Sequence, residues 1–221
     1  MDHSALWLTL RLAGLTTLCL LALATPLALW IASSTSWLRR VIQALVALPL
    51  VLPPTVLGYY LLVGMGPASG MGRALVRVLG HPLAFTFGGL LVGSVVYSLP
   101  FAVQPLVAGF AGVDREVVET ARVLGASRWT MFRRILLPLT RASFVTAAVL
   151  TFAHTVGEFG VVLMIGGDIP GVTRTLSISI YDLVQEMSYT AASRISLALV
   201  AVSFVALLAV YGRSARRPDL G

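Results

Sequence analysis

Long runs of apolar residues, separated by short arginine-bearing stretches, decide what this chain can fold into. Five runs reach or approach the ~20 residues that a helix needs to cross the hydrocarbon of a bilayer: roughly 14–32, 41–65, 84–110, 142–165 and 195–211. In lipid every backbone N–H and C=O must find a partner inside the structure, which leaves helices or closed barrels. Runs of this length without two-residue alternation point to helices. Charged residues make up 11% of the 221, under half the ~25% of an ordinary soluble domain. The expected architecture is an all-α integral membrane protein of about five transmembrane helices, forming one domain over residues 1–221.

The charged residues then orient it. All 16 basic residues are arginine, and the formal net charge is +7. They form no stripe beside exposed aromatics, which argues against nucleic acid. Instead they cluster between the apolar runs. Arg39, Arg40, Arg115, Arg122, Arg128, Arg133, Arg134, Arg141, Arg213, Arg216 and Arg217 fall on one side, and Arg11, Arg73, Arg77, Arg174 and Arg194 on the other. The richer side marks the cytoplasm, so the N-terminus is expected outside and the C-terminus inside a bacterial inner membrane. The first run lacks the basic start of a cleaved signal peptide, since Met1-Asp2-His3-Ser4 opens the chain. Residues 5–12, with Trp7 and Arg11, read as an interfacial lead-in. Cys19, the single cysteine, rules out an internal disulfide or a cysteine metal cluster. His3 and His81 read as surface residues, and no metal site is expected.

Prolines interrupt two runs: Pro49, Pro53 and Pro54 in the second, Pro100 and Pro105 in the third. Broken helices free backbone groups that survive only against protein or water, and transporters use such breaks to build pathways. The pathway and gate candidates are Pro53, Pro54, Ser94, Ser98, Gln104, Thr151, His154 and Glu158, with Thr86, Ser143 and Thr146 as further hydroxyls. No arginine lies deep in a run, so an anion crossing here would meet hydroxyls, amides and helix dipoles. His154 and Glu158, four apart, are expected to share a helix face. Ionisable groups at membrane depth are functional candidates, and Glu158 is expected near the outer end of the fourth run, bracing a gate.

The segment 112–138 is the polar exception. Val117, Val118, Ala121 and Leu124 fall on one helical face with charges opposite. Asp114 can cap the start, Gly125 suits a left-handed stop, and Ser127 can cap a second short helix carrying Trp129 and Phe132 on one face. A helix, a sharp turn and another helix are expected.

Glu119-Thr120-Ala121, Gly125 and Ile135-Leu136-Leu137-Pro138 resemble the hallmark of ABC importer permeases, with Thr120 where the family has alanine. The resemblance implies a type I permease fold in which this loop is the coupling segment docking on a separate ATPase subunit. Glu119, Ala121, Gly125, Ser127, Arg128, Trp129 and Phe132 would carry that contact, with Trp129 and Phe132 as apolar anchors. The chain has no phosphate-binding loop and no lysine to build one. It is therefore expected to have no catalytic residues and no cofactor of its own, with ATP and Mg on the partner. The implied assembly is two ATPase subunits, two copies of this chain and an external binding protein. Residues 48–60, LPLVLPPTVLGYY, are similar to the second-span signature of molybdate permeases. Gly157-Glu158-Phe159-Gly160, Gly167-Asp168-Ile169-Pro170-Gly171 and residues 175–181 are similar to the oxyanion group, which includes tungstate and sulfate permeases. An ATP-independent secondary transporter would instead show internal repeats and more buried charge, and a membrane enzyme would show a nucleophile–base pair or metal cluster.

Overall fold

The computed structural model describes residues 3–214 and is helical, with no strand among them. Met1, Asp2, Arg216, Arg217 and Gly221 lie outside the described residues. The spine is a pair of parallel helices, α1 (His3–Ser33) and α5 (Phe87–Ala111), each long and apolar enough to cross a bilayer alone. They pack along most of their length, from Leu12 against Leu90 at one end to Ala24 and Ala28 near Leu106 at the other. The lead-in expected over residues 5–12 is not a separate interfacial segment. It is the first turns of α1, and Arg11 sits over the Phe87 ring, 4.6 Å from its centre. Two features allow this continuity. Thr9 and Thr17 return their hydroxyls to carbonyls four residues back, and the Arg11 guanidinium gains an aromatic face in place of water.

The second apolar run is broken. Its halves, α2 (Trp37–Val51) and α3 (Pro54–Met65), meet at 111° across Leu52-Pro53. Two consecutive prolines explain the corner: Pro53 forces the preceding residue out of the helical region, and Pro54 sits at the first helical position, where its missing N–H costs nothing. A short helix, α4 (Gly70–Leu79), follows and ends at Gly80 in the left-handed conformation.

The arginine-rich end carries α6 (Arg115–Val123) and α7 (Arg128–Met131). The chain then widens into a π-helical turn, Phe132–Leu136, before the one-turn α8 (Leu137–Leu139) and α9 (Arg141–Val156). A wider turn before Pro138 relieves the clash between its ring and the carbonyl four residues earlier. At Thr140 the axis bends by 73°.

The fourth run is also broken, which corrects the expectation of a continuous helix over 142–165. Helix α9 stops at Gly157, and α10 (Gly160–Gly166) starts three residues later. Helix α10 runs between α3 and α5, with Ile165 lodged against Gly93 and the Ile165 carbonyl accepting from Phe85 N–H. Beyond it, α11 (Leu176–Gln185) is tied to α1 by Leu176 N–H donating to Thr9 Oγ1 at 2.9 Å. Helix α12 (Tyr189–Ser214) closes the bundle against α9 and α11. Arg39, Arg40 and the arginines of α6–α9 stand at one end. Arg11, Arg73, Arg77, Arg174 and Arg194 stand at the other.

Candidate functional sites

At the arginine-rich end the helix–turn–helix forms as its residues dictate. Asp114 accepts from Glu116 N–H and caps α6. Gly125 takes φ +78°, the turn expected of it. Ser127 caps α7 by accepting from Thr130 N–H at 3.1 Å. Ala121 is buried beneath α6, while Glu119 and Arg128 are exposed. The apolar face is not the one expected. Val123 and Leu124 are 87% and 81% exposed. Trp129 is 65% exposed and stacks on Phe132 with ring centres 5.9 Å apart, while Arg133 lies over its other flank. Phe132 is half-buried and packs against the core formed by α1, α5 and α9. It is thus the base on which Trp129 stands rather than a second outward anchor.

The other site lies where the two broken helices meet. Pro54 and Gly160 are the first residues of α3 and α10, and they touch: a Cβ on Gly160 would come within 2.8 Å of the Pro54 ring. The two short helices then run together, Gly58 fitting beside Val161 and Met164. The breaks therefore lie at one level, and a cavity of about 560 Å³ opens there. Pro54, Thr55, Tyr97, His154, Glu158 and Gly160 are among its lining residues.

Glu158 sits in the gap between α9 and α10, past the helix that carries His154, so the two do not share a helical face as expected. The Ser94 hydroxyl faces Glu158, and Ser94 is seven residues, about 10 Å, into α5. Glu158 is 3% exposed, and neither its carboxyl oxygens nor Ser94 Oγ completes a hydrogen bond. Arg174 pairs with Asp168 and Asp182, and neither pair involves Glu158.

Deeper in the wall, His154 Nδ1 lies 2.9 Å from Ser98 Oγ, which lies 3.1 Å from Thr155 Oγ1, which donates to the Thr151 carbonyl. Counting hydrogens orders this chain. The Thr155 proton is spent on a carbonyl, so Ser98 donates to Thr155 and His154 Nδ1–H donates to Ser98. Phe101 stacks on the imidazole at 4.0 Å and Tyr97 tilts against it at 4.7 Å.

Of the remaining pathway candidates, Thr151 is buried between helices and is not among the cavity's lining residues. Gln104 is exposed on the far side of α5 and does not join the site. Pro53 makes the corner without lining the cavity. Tyr97, Phe101 and Thr155 escaped sequence reasoning. Their signal was present in part, since Tyr97 and Phe101 are four apart around Ser98 on an apolar helix. Among the described residues no cluster suits a metal ion.

Comparison with known proteins places this architecture. Residues 24–217 match the family model described as "Binding-protein-dependent transport system inner membrane component". The chain belongs to that family. It is 52% identical over 221 residues to the Azotobacter vinelandii molybdenum transport system permease protein ModB, covering all of this chain and 96% of that one. It is 37% identical over 171 residues to the ModB protein of Escherichia coli K12, covering 77% and 75%. Among solved structures it resembles a bacterial ABC transporter that imports alginate (TM-score 0.76, 23% identity, covering 98% of this chain and 79% of that one). It also resembles the inward-facing methionine transporter MetNI (TM-score 0.69, 18% identity, covering 96% and 95%). These two likenesses bear on the fold alone. As a member of this family the chain is a multi-pass inner-membrane transport component.

Proposed function

We propose that this chain is the permease subunit of an ABC importer for molybdate, with tungstate as the nearest second cargo, driven by ATP hydrolysed on a separate subunit. The observation that carries the reading is the end-to-end likeness to a molybdenum transport permease, at 52% over the full chain. The geometry supports it at both ends of the pathway. The turn at Gly125 presents Val123, Leu124 and Trp129 as a compact exposed apolar patch rimmed by Arg128, Arg133 and Glu119, the form of an interface anchor inside a polar rim. The broken helices provide irregular backbone beside a cavity, as a membrane pathway requires.

In this reading two copies of the chain pair with two ATPase subunits, which alone bind ATP and Mg, and the chain itself carries no enzymatic activity or cofactor. The arginine-rich end faces the cytoplasm and α4 and α11 face outward, where a binding protein delivers the ion. ATPase closure draws the coupling loops together and opens the pathway outward; hydrolysis returns it inward. The test is uptake into proteoliposomes holding the permease with its ATPase and binding protein. Molybdate accumulation that needs ATP and is competed by tungstate in preference to sulfate is expected. Sulfate uptake in place of molybdate would overturn the cargo assignment.

A further inference from the structure

We propose that the cavity between the two helix breaks is a transit subsite for a tetrahedral oxyanion, held by neutral hydrogen-bond donors from Glu158 in its acid form, Tyr97, and the start of α3 at Thr55. The inference deepens the importer reading and rests on it. Three independent features converge on this cavity. First, α3 is a 12-residue helix whose N-terminus lines it. Pro54 has no N–H, so Thr55 offers the first free amide, with its hydroxyl beside it, at the positive end of the helix dipole. Second, Glu158 lines the same space while 3% exposed, with both oxygens lacking partners. A buried carboxyl left unpaired, beside a Ser94 hydroxyl that also lacks a partner, implies a partner that arrives. Third, Tyr97 lines the cavity and its ring is braced on His154.

The chemistry fits an oxyanion rather than a cation or an apolar cargo. An ionised carboxylate would repel a dianion and would stand buried without counter-charge. The acid form carries a donor proton, as Tyr97 and Thr55 do. His154 Nδ1 lies 2.9 Å from Ser98 Oγ, which fixes the imidazole as a positioned wall of the cavity. Donors without a permanent charge hold an anion long enough to exclude water and release it without a deep well, as transit requires.

The test uses the whole transporter in proteoliposomes and reads molybdate moved per ATP hydrolysed, with the binding protein present. Glu158→Ala lowers that ratio about tenfold or more, the loss expected when a donor to a charged partner disappears, while binding-protein-stimulated hydrolysis persists. Glu158→Gln, neutral and still a donor, keeps the ratio near that of the natural protein. A purely structural role would reduce hydrolysis and transport together. If Glu158→Ala fails to assemble, Tyr97→Phe and Thr55→Val decide, and at least one must raise the ATP used per ion. The proposal is overturned by an unchanged ratio in Glu158→Ala, by Glu158→Gln failing as badly as Glu158→Ala, or by unchanged ratios in both substitute variants. A natural complex that hydrolyses ATP yet moves no molybdate would instead remove the importer reading beneath it.

Discussion

Ser98 links His154, which lines the cavity, to Thr155 behind it. It receives the His154 Nδ1–H and passes its own proton to Thr155. Ser98→Ala leaves a buried imidazole donor without a partner, a cost of about 1–3 kcal/mol, and frees the ring to turn. The expected result is a lower unfolding midpoint for the purified permease, together with slower transport; unchanged stability would mean that the chain of hydroxyls is not made. In the loop before α11, Arg174 grips Asp168 through Nε and Nη2, Nη2 to Oδ2 at 2.6 Å, and reaches Asp182 at 3.6 Å. The Arg174 hydrogen bond holds the Asp168 carboxyl below its usual range, whereas desolvation first, and then Asp168 itself, lifts Asp182. The signs oppose. Asp168 adds stability that is present above the ordinary carboxylate value, ~3.9, and fades as pH falls through its lowered one. Asp182 withdraws stability as pH rises from that ordinary value through its raised one. Asp182→Asn should therefore tighten the 167–175 loop at neutral pH. Slower proteolysis of that loop would show it, and faster proteolysis would contradict it.

Elements explain what was legible in the sequence and what was not. The helix–turn–helix of 114–131 could be read almost residue by residue, because caps and a glycine stop are local chemistry: Asp114, Gly125 and Ser127 act within three residues of themselves. Phe132 was misread because its neighbours come from α1, α5 and α9, and no local pattern says which side of a short helix faces a bundle. The break at Gly157–Phe159 was misread for a related reason. Apolar residues continue on both sides of it, whereas the packing of α10 against Pro54 and Gly58 comes from a distant segment. Pro53-Pro54 was visible as a breaker, but its level relative to the other break was not. Two predictions follow at this scale. A Cβ at position 125 meets open space, so Gly125→Val tests backbone strain alone, at least ~1 kcal/mol for a β-branched residue with positive φ. The tilted α7 should weaken ATPase retention during purification, as should Trp129→Ala, which removes an anchor worth about 2 kcal/mol. Normal retention and coupled uptake in both would remove the loop's assignment. Gly160→Ala presses a methyl on a proline ring that cannot swing aside, an overpacking cost of about 1–3 kcal/mol. Transport should fall while ATPase docking, at the other end, stays intact.

For the molecule as a whole, a continuous run of helices leads from one site to the other. From Trp129 the chain proceeds through α7, the π turn and α8 to the bend at Thr140, and then along α9 to the break beside Glu158. Helix α9 has 16 residues, about 24 Å of continuous rod, and it is clasped by α1, α5 and α12. A rod so held can slide or rotate but not fold, and displacement at the loop is expected to reach the cavity through the Thr140 joint. That joint is 2% exposed and doubly fastened, the Thr140 N–H and hydroxyl both donating to the Leu136 carbonyl at 2.9 and 2.7 Å. Thr140→Gly removes the hydroxyl and loosens the backbone at one point without touching either the docking patch or the cavity. ATPase binding and hydrolysis should then persist while molybdate moved per ATP falls several-fold, on the scale of losing about 1 kcal/mol of hydrogen bonding plus the cost of glycine. Thr140→Ser, which restores the hydroxyl, should recover most of the coupling. If Thr140→Gly transports with the natural ATP ratio, force does not pass through this joint, and α5 or α12 must link the loop to the pathway instead.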